Sequence, residues 1–148
     1  KQNLPLKFHL LEYGIGNKTG SFNFYLPRNP VFVSGSILVQ NNIDVHNKIS
    51  VNVKSISDIC YDLGHEQIDV LKMDIEGSEY EVIEDILQSK IIINQILIEF
   101  HDRFFKDGKA KSRKIVGSLH DHGYEIFALS PSGEEVSFIK KSLLFDKQ

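Results

Sequence analysis

The sequence predicts an α/β fold with a mixed, mainly parallel sheet, and three stretches carry that expectation. Residues 67–87, QIDVLKMDIEGSEYEVIEDIL, run an apolar strand through a charged turn into a helix. Residues 95–101, QILIEFH, form a second apolar strand with polar groups late in the run. Residues 124–139 end in two strand-like segments around a turn at Pro131 to Gly133, which reads as a hairpin.

Taken in order, Phe8, Leu10 and Leu11 suggest a short strand. Tyr13 to Gly16 then lead through a Gly-bearing turn into Phe22 to Leu26, a hairpin-like signal. Gly14-Ile15-Gly16 is not a phosphate loop, because a strand-like segment follows it where such a loop needs a helix N-terminus. Residues 27–35 read as a loop. Residues 37–39 and 49–53 read as short extended pieces on either side of the polar residues 41–48, so an antiparallel excursion is expected around residues 20–54. Ile56, Ile59, Cys60 and Leu63 share one helical face, with Gly64 as a stop and Cys60 in the core.

In the central unit, Ile68, Val70, Leu71, Met73 and Ile75 form a run of strand length, as expected for a strand covered on both faces. Alternation sends Lys72, Asp74 and Glu76 to one face and Leu71, Met73 and Ile75 to the other. Gly77 permits a sharp turn, and Ser78 with Glu81 three residues later reads as a capping box. Tyr80, Val82, Ile83, Ile86 and Leu87 supply the buried face of the helix. Glu81 therefore reads as a cap, and Glu79 and Glu84 as acids that complement the helix dipole or face water. Asp74 and Glu76 differ, since the carboxyl end of a strand is where open α/β sheets hold ligands.

In the second strand Ile96, Ile98 and Phe100 share one face, and Leu97, Glu99 and His101 the other. If the two strands are parallel neighbours, the crossover brings both carboxyl ends to one edge, and Asp74, Glu76, Glu99 and His101 converge there. Glu99 either takes part in the chemistry or pairs with Lys72, because an unpaired buried charge is costly. Beyond them, Phe104 and Phe105 read as core packing or a hinge contact ahead of a platform for a substrate ring. A helix from about Ala110 uses Ile115, Val116 and Leu119 and stops near Gly123.

KMDIEGSEYEVI followed by ILIEFH resembles the core signature of FkbM-type methyltransferases, a K-I-D-V-E-G-x-E pattern with a later I-x-E strand. Weaker similarity runs from about Phe8 to the end of the chain. The resemblance implies a Rossmann-like sheet of the class I methyltransferase type, with strand order 3-2-1-4-5-7-6, and methyl transfer from S-adenosylmethionine to an oxygen of a small molecule or sugar. Such a transfer needs a group that orients or deprotonates the acceptor hydroxyl, for which Asp74, Glu76 and His101 are the candidates. His101 can switch protonation near neutral pH, and Lys72 and Glu99 would orient the others. A cofactor-edge role near the adenine is implied for Tyr13, Gly14 and Ile15, with Asp74 as a polar wall. A plain turn is the alternative for the first three.

The family's glycine-rich first strand and the acidic end of its second strand have no counterpart here. Residues 1–148 are therefore expected to form a single, partial domain that lacks the first strands and binds S-adenosylmethionine weakly or not at all by itself. The apolar edge at residues 70–73 would be unpaired and open to self-association. Two other readings compete: a non-catalytic methyltransferase-like module that pairs with another segment or chain, and a metal-dependent sugar-active enzyme using Asp74 and Glu76. The last is disfavoured because D-x-E runs straight into a helix.

Composition bounds the partners. A chain of 148 residues with 41% hydrophobic and 25% charged residues is enough for one domain with a real core. A net charge of −3 argues against an extended nucleic-acid surface. The single cysteine excludes an internal disulfide, makes a cysteine-based zinc site implausible and fits a reducing, cytoplasmic setting. His120 and His122 do not share a helix face, so no metal site is expected. No apolar stretch is long enough to span a bilayer, and no secretory signal is evident, so no membrane partner is expected. The chain begins at Lys1, which is compatible with removal of an amino-terminal portion.

Overall fold

The computed structural model describes residues 7–29, 31, 34–39 and 43–145, the side chain of Phe145 excepted. Along the chain run β1 (Gly14–Ile15), β2 (Gly20–Pro27), β3 (Ile43–Lys54), α1 (Ile56–Leu63), β4 (Gln67–Met73) and α2 (Glu79–Gln88). Then come β5 (Ile92–Glu99), a 3-10 turn (Asp102–Phe104), α3 (Gly108–Asp121), β6 (Tyr124–Leu129), β7 (Glu135–Lys140) and α4 (Ser142–Phe145). The strands form two sheets, in the orders β1-β3-β2 and β4-β5-β7-β6. The fold is α/β, and β4 and β5 are parallel neighbours joined by α2.

The balance of ladders corrects one expectation. Among the described residues β1·β3 and β4·β5 are parallel, whereas β2·β3, β5·β7 and β6·β7 are antiparallel, so the sheets are mixed but not mainly parallel. A parallel neighbour needs a long crossover, which α2 supplies between β4 and β5, while β6 returns to β7 through a short turn.

The core lies on one side of the four-stranded sheet. Leu71, Met73, Ile96, Ile98, Val136 and Phe138 meet Val82, Ile83 and Ile86 of α2 and Ile115 and Leu119 of α3. Each such side chain, fully buried, stabilises the fold by about 1.5–3 kcal/mol. β4 is not covered on both faces: Lys72 is exposed and Val70 is 53% exposed. It is the outermost strand of its sheet, and among the described residues no strand pairs with its outer edge at residues 70–73. The strand also ends at Met73, which leaves Asp74 and Glu76 in the following turn rather than in the alternating strand.

α1 forms as its periodicity predicts, with Ser55 accepting a hydrogen bond from the Asp58 amide, Gly64 in the left-handed conformation and Cys60 buried. The amino-terminal third departs more. Residues 8–11 form no strand, and Phe8, Leu10 and Leu11 are exposed. β1 and β2 do not pair with each other but flank β3 on its two sides. Residues 37–39 are not a strand, and one isolated bridge joins Ser36 to Tyr25. β3 starts at Ile43, within the stretch expected to be a polar connection. Residues 45–50 are all exposed, so this part of β3 is solvated on both faces, which admits His46, Asn47 and Lys48 into a strand. Asn41 and Asn42 lie outside the described residues. No helix among the described residues is long and apolar enough to cross a membrane.

Candidate active site

The turn between β4 and α2 is built around a buried carboxylate. The expected capping box is absent: Ser78 makes no side-chain cap bond and Glu81 is exposed. Glu79 turns back instead, accepting from the Ile75 amide at 2.9 Å and from the Gly77 amide at 3.1 and 3.2 Å. An anion here satisfies amides at the positive end of the helix dipole. Glu79 is fully buried, so of its two readings the one that complements the helix dipole holds and the water-facing one does not. The signal for this was in the spacing, because Glu79, Val82, Ile83 and Ile86 stand at i, i+3, i+4 and i+7 on the buried face.

The same turn holds Glu76 at φ 52°, a left-handed conformation rare for a residue with a side chain, followed by Gly77 at φ 100°. The Ser36 hydroxyl donates to the Glu76 carbonyl at 2.8 Å, tying the antiparallel excursion to the turn.

His101 follows β5 and is 1% exposed. Its Nδ1 lies 2.9 Å from Glu79 Oε1, and its Nε2 lies 3.5 Å from Glu76, 3.6 Å from Asp74 and 3.8 Å from Glu99. The Phe104 ring stacks on the imidazole at 5.1 Å, and Arg103 covers Phe104 at 4.9 Å. Burial is the largest influence on His101 and disfavours its charged form. Glu79, with Glu76 assisting, more than offsets burial and Arg103, so the imidazole titrates above its ordinary value.

Asp74, Glu76, Glu99 and His101 therefore come together at the carboxyl ends of β4 and β5. Lys72 does not join them: it is exposed and borders a small hollow with Glu99. The charge contacts of Glu99 run to His101 and to Arg103, at 3.8 Å each, and not to Lys72. Glu79, Ser36 and Arg103 were not singled out for the site by sequence reasoning. Gly14 and Ile15 do reach the same region. With Val51, Val53, Asp74 and Glu76 they line a cavity of about 350 Å³ between the excursion sheet and the acidic turn. Tyr13 stands outside that lining, with Lys54 Nζ 5.0 Å from its ring centre. Phe105 packs edge-on against Tyr80 at 5.3 Å, whose hydroxyl donates to Asp102 at 2.9 Å.

Chemically, this arrangement offers an imidazole held at one nitrogen by a buried carboxylate, leaving the other facing Asp74 and Glu76 beside an apolar cavity. It can hold a proton at Nε2, accept hydrogen bonds from hydroxyls, or gather three ligand atoms around a cation.

The methyltransferase FkbM domain family matches residues 1–126. Among characterised sequences, the chain is 28% identical over 142 residues to the 2-O-methyltransferase NoeI of Sinorhizobium fredii, covering 87% of this chain and 57% of that protein. It is 35% identical over 91 residues to the probable methyltransferase-like protein 24 of Rattus norvegicus, covering 60% of this chain and 19% of that protein. The chain thus spans little more than half of the first relative and about a fifth of the second. No solved structure matches it.

Proposed function

The chain belongs to the FkbM methyltransferase family, and from that premise we propose that it carries the acceptor side of a methyl transfer from S-adenosylmethionine to an oxygen of a small molecule or sugar. The observation that carries this reading is the convergence of His101 Nε2 with Glu76 and Asp74, at 3.5 and 3.6 Å. A name with the same chemistry, 2-O-methyltransferase, belongs to one relative. A Rossmann-like, class I type of sheet is part of the proposal, supported by the order β4-β5-β7-β6 with an antiparallel β7.

Asp74 and Glu76 accept hydrogen bonds from the acceptor and fix its hydroxyl. Nε2 of His101 takes the hydroxyl proton, while Glu79 holds Nδ1 and Phe104 fixes the plane of the ring. The acceptor oxygen so freed would take the methyl group that a bound donor supplies, with the thioether as leaving group. S-Adenosylmethionine, when bound, supplies the electrophilic methyl on a sulfonium sulfur. The residues present fit part of it. Gly14, Ile15 and Val53 offer an apolar wall for a flat ring, and Asp74 a polar rim. One wall of an open cavity predicts weak binding by these residues alone.

The test is release of S-adenosylhomocysteine by the full-length protein with sugar acceptors. Asp74→Asn and Glu76→Gln should each lower turnover at least tenfold while unfolding like the parent, since they remove site groups and not core volume. Full activity in both moves the acceptor site elsewhere.

A second reading, pairing or self-association through β4, is favoured by one observation, the outer edge that no described strand pairs, with Val70 53% exposed. Sedimentation would support it by a concentration-dependent dimer that Val70→Lys abolishes. A monomer at every concentration sinks it.

A further inference from the structure

We propose that Asp74, Glu76 and His101 form a binding site for one first-row divalent cation of the Mn²⁺ type. The site goes beyond the methyl-transfer reading and does not depend on it.

Three observations converge. One ligand atom from each residue lies within 4.8 Å of the other two, and Nε2 stands 3.5 Å from Glu76 and 3.6 Å from Asp74. Cis ligands at about 2.1 Å from a metal are about 3 Å apart, so a cation needs only a small inward movement of side chains. The Asp74 side chain is 44% exposed and that of Glu76 22%, so both carboxylates border solvent from which a cation would enter.

The imidazole is prepared on its far side. His101 is 1% exposed, and its Nε2 is aimed into the carboxylates of Glu76 and Asp74, 3.5 and 3.6 Å away. Nδ1 faces the buried Glu79 at 2.9 Å. A carboxylate behind the non-ligating nitrogen fixes ring orientation and raises basicity, the usual support of a metal-bound histidine. Glu79 is in turn held by the Ile75 and Gly77 amides, so the support is anchored to backbone.

The backbone also commits Glu76 to this position. Its left-handed φ of 52° and the 2.8 Å bond from Ser36 to its carbonyl hold the turn. Strain of this kind persists where the surrounding structure enforces it.

The donor set narrows the ion: an imidazole beside two carboxylates disfavours Mg²⁺ and Ca²⁺, which prefer oxygen throughout, the absence of sulfur disfavours Cu⁺, and Mn²⁺ serves as the spectroscopic probe of the first-row divalent class that remains. Three protein ligands leave positions for water or for oxygens of a bound polyol. A proton on Nε2 and a cation on Nε2 exclude each other, so the two are alternative occupants of one site.

The experiment is titration of metal-stripped protein with Mn²⁺, following the free ion by its electron spin resonance signal, with neither methyl donor nor acceptor present. One saturable equivalent is expected, weakened at least tenfold by Asp74→Asn and by Glu76→Gln, and unchanged by Glu84→Gln, whose partner is Lys114 of α3. Circular dichroism melting of each variant separates lost binding from lost folding. Asp74, being half-exposed, tolerates replacement even if Glu76 does not. No saturable binding up to millimolar Mn²⁺, or equal affinity in the parent and Asp74→Asn, overturns the proposal. Since no methyl transfer is measured, a failed transfer assay leaves this result standing, and the converse holds too.

Discussion

Among the described residues, His101 and His120 each lie near more than one carboxylate, and only His101 is buried. His120, at the end of α3, lies 3.9 Å from Asp121 and 3.6 Å from Glu125, with Lys141 pairing Glu125 at 2.7 Å. His101 has contacts of similar length to Asp74, Glu76 and Glu99. The residue types match, but His120 is 60% exposed and His101 is 1% exposed. Around His120 water screens every pair and the side chains are loosely held, so their geometry carries little energy. Around His101 a buried carboxylate, two backbone amides and a stacked ring fix the imidazole. What separates the two clusters is the low-dielectric shell behind His101 rather than the proximity of the acids.

Glu79 carries the largest difference between the two clusters. Glu79→Ala should cost about 3–5 kcal/mol in urea unfolding, because it leaves His101 and buried amides without their partner. Glu125→Ala at the exposed cluster should cost far less, because water and salt screen its pairs with Lys141 and His120. Equal losses would show that burial does not separate the two sites.

Beneath the buried cluster, Ile98→Ala should cost about 2–5 kcal/mol, as expected of a central strand. Ile126→Ala, on the half-exposed hairpin, should cost about 1 kcal/mol or less. A loss below about 1 kcal/mol at Ile98 would place β5 at an edge and remove the floor of the site.

Phe104→Ala sharpens the contrast further. Loss of its ring from His101 should cost about 1 kcal/mol of stacking, while turnover falls by a larger factor because the imidazole plane is released. Equal percentage losses in stability and turnover would make Phe104 mere packing.

The smallest effect belongs to the exposed cluster and is a pH effect. The hydrogen bond from Lys141 is the main cause that holds Glu125 below its ordinary value. A carboxylate depressed on folding contributes stability that is full above its unfolded value of 4.5 and is lost as pH falls through the folded one. The parent should therefore lose its small advantage over Glu125→Gln only below about pH 4.5, in thermal melts at low salt. An advantage that persists at about pH 2 would contradict the pairing.

Much of this was legible in the sequence. The strand, turn and helix of residues 67–87, the parallel partner at β5 and the final hairpin follow from apolar spacing, which reports burial directly. Convergence of Asp74, Glu76 and His101 followed from the crossover between two parallel strands. The role of Glu79 did not, because an acid in the first helical turn has a common reading, and its place on the apolar stripe was the competing signal. β3 was shortened for a related reason: its polar residues face water in an antiparallel sheet, so apolar spacing is silent there. Ser36 joins Glu76 across forty residues of chain, and no local pattern encodes such a bond.

The left-handed backbone of Glu76 has an evolutionary consequence. A side chain in that conformation costs about 1 kcal/mol, which glycine or asparagine largely avoids. A library of this gene selected for heat resistance alone should therefore enrich Glu76→Gly and Glu76→Asn, and the winners should be hardier proteins that have lost their carboxylate and their chemistry. A library selected for turnover should keep Glu76 and acquire compensating stability elsewhere. The two selections would diverge at this one codon.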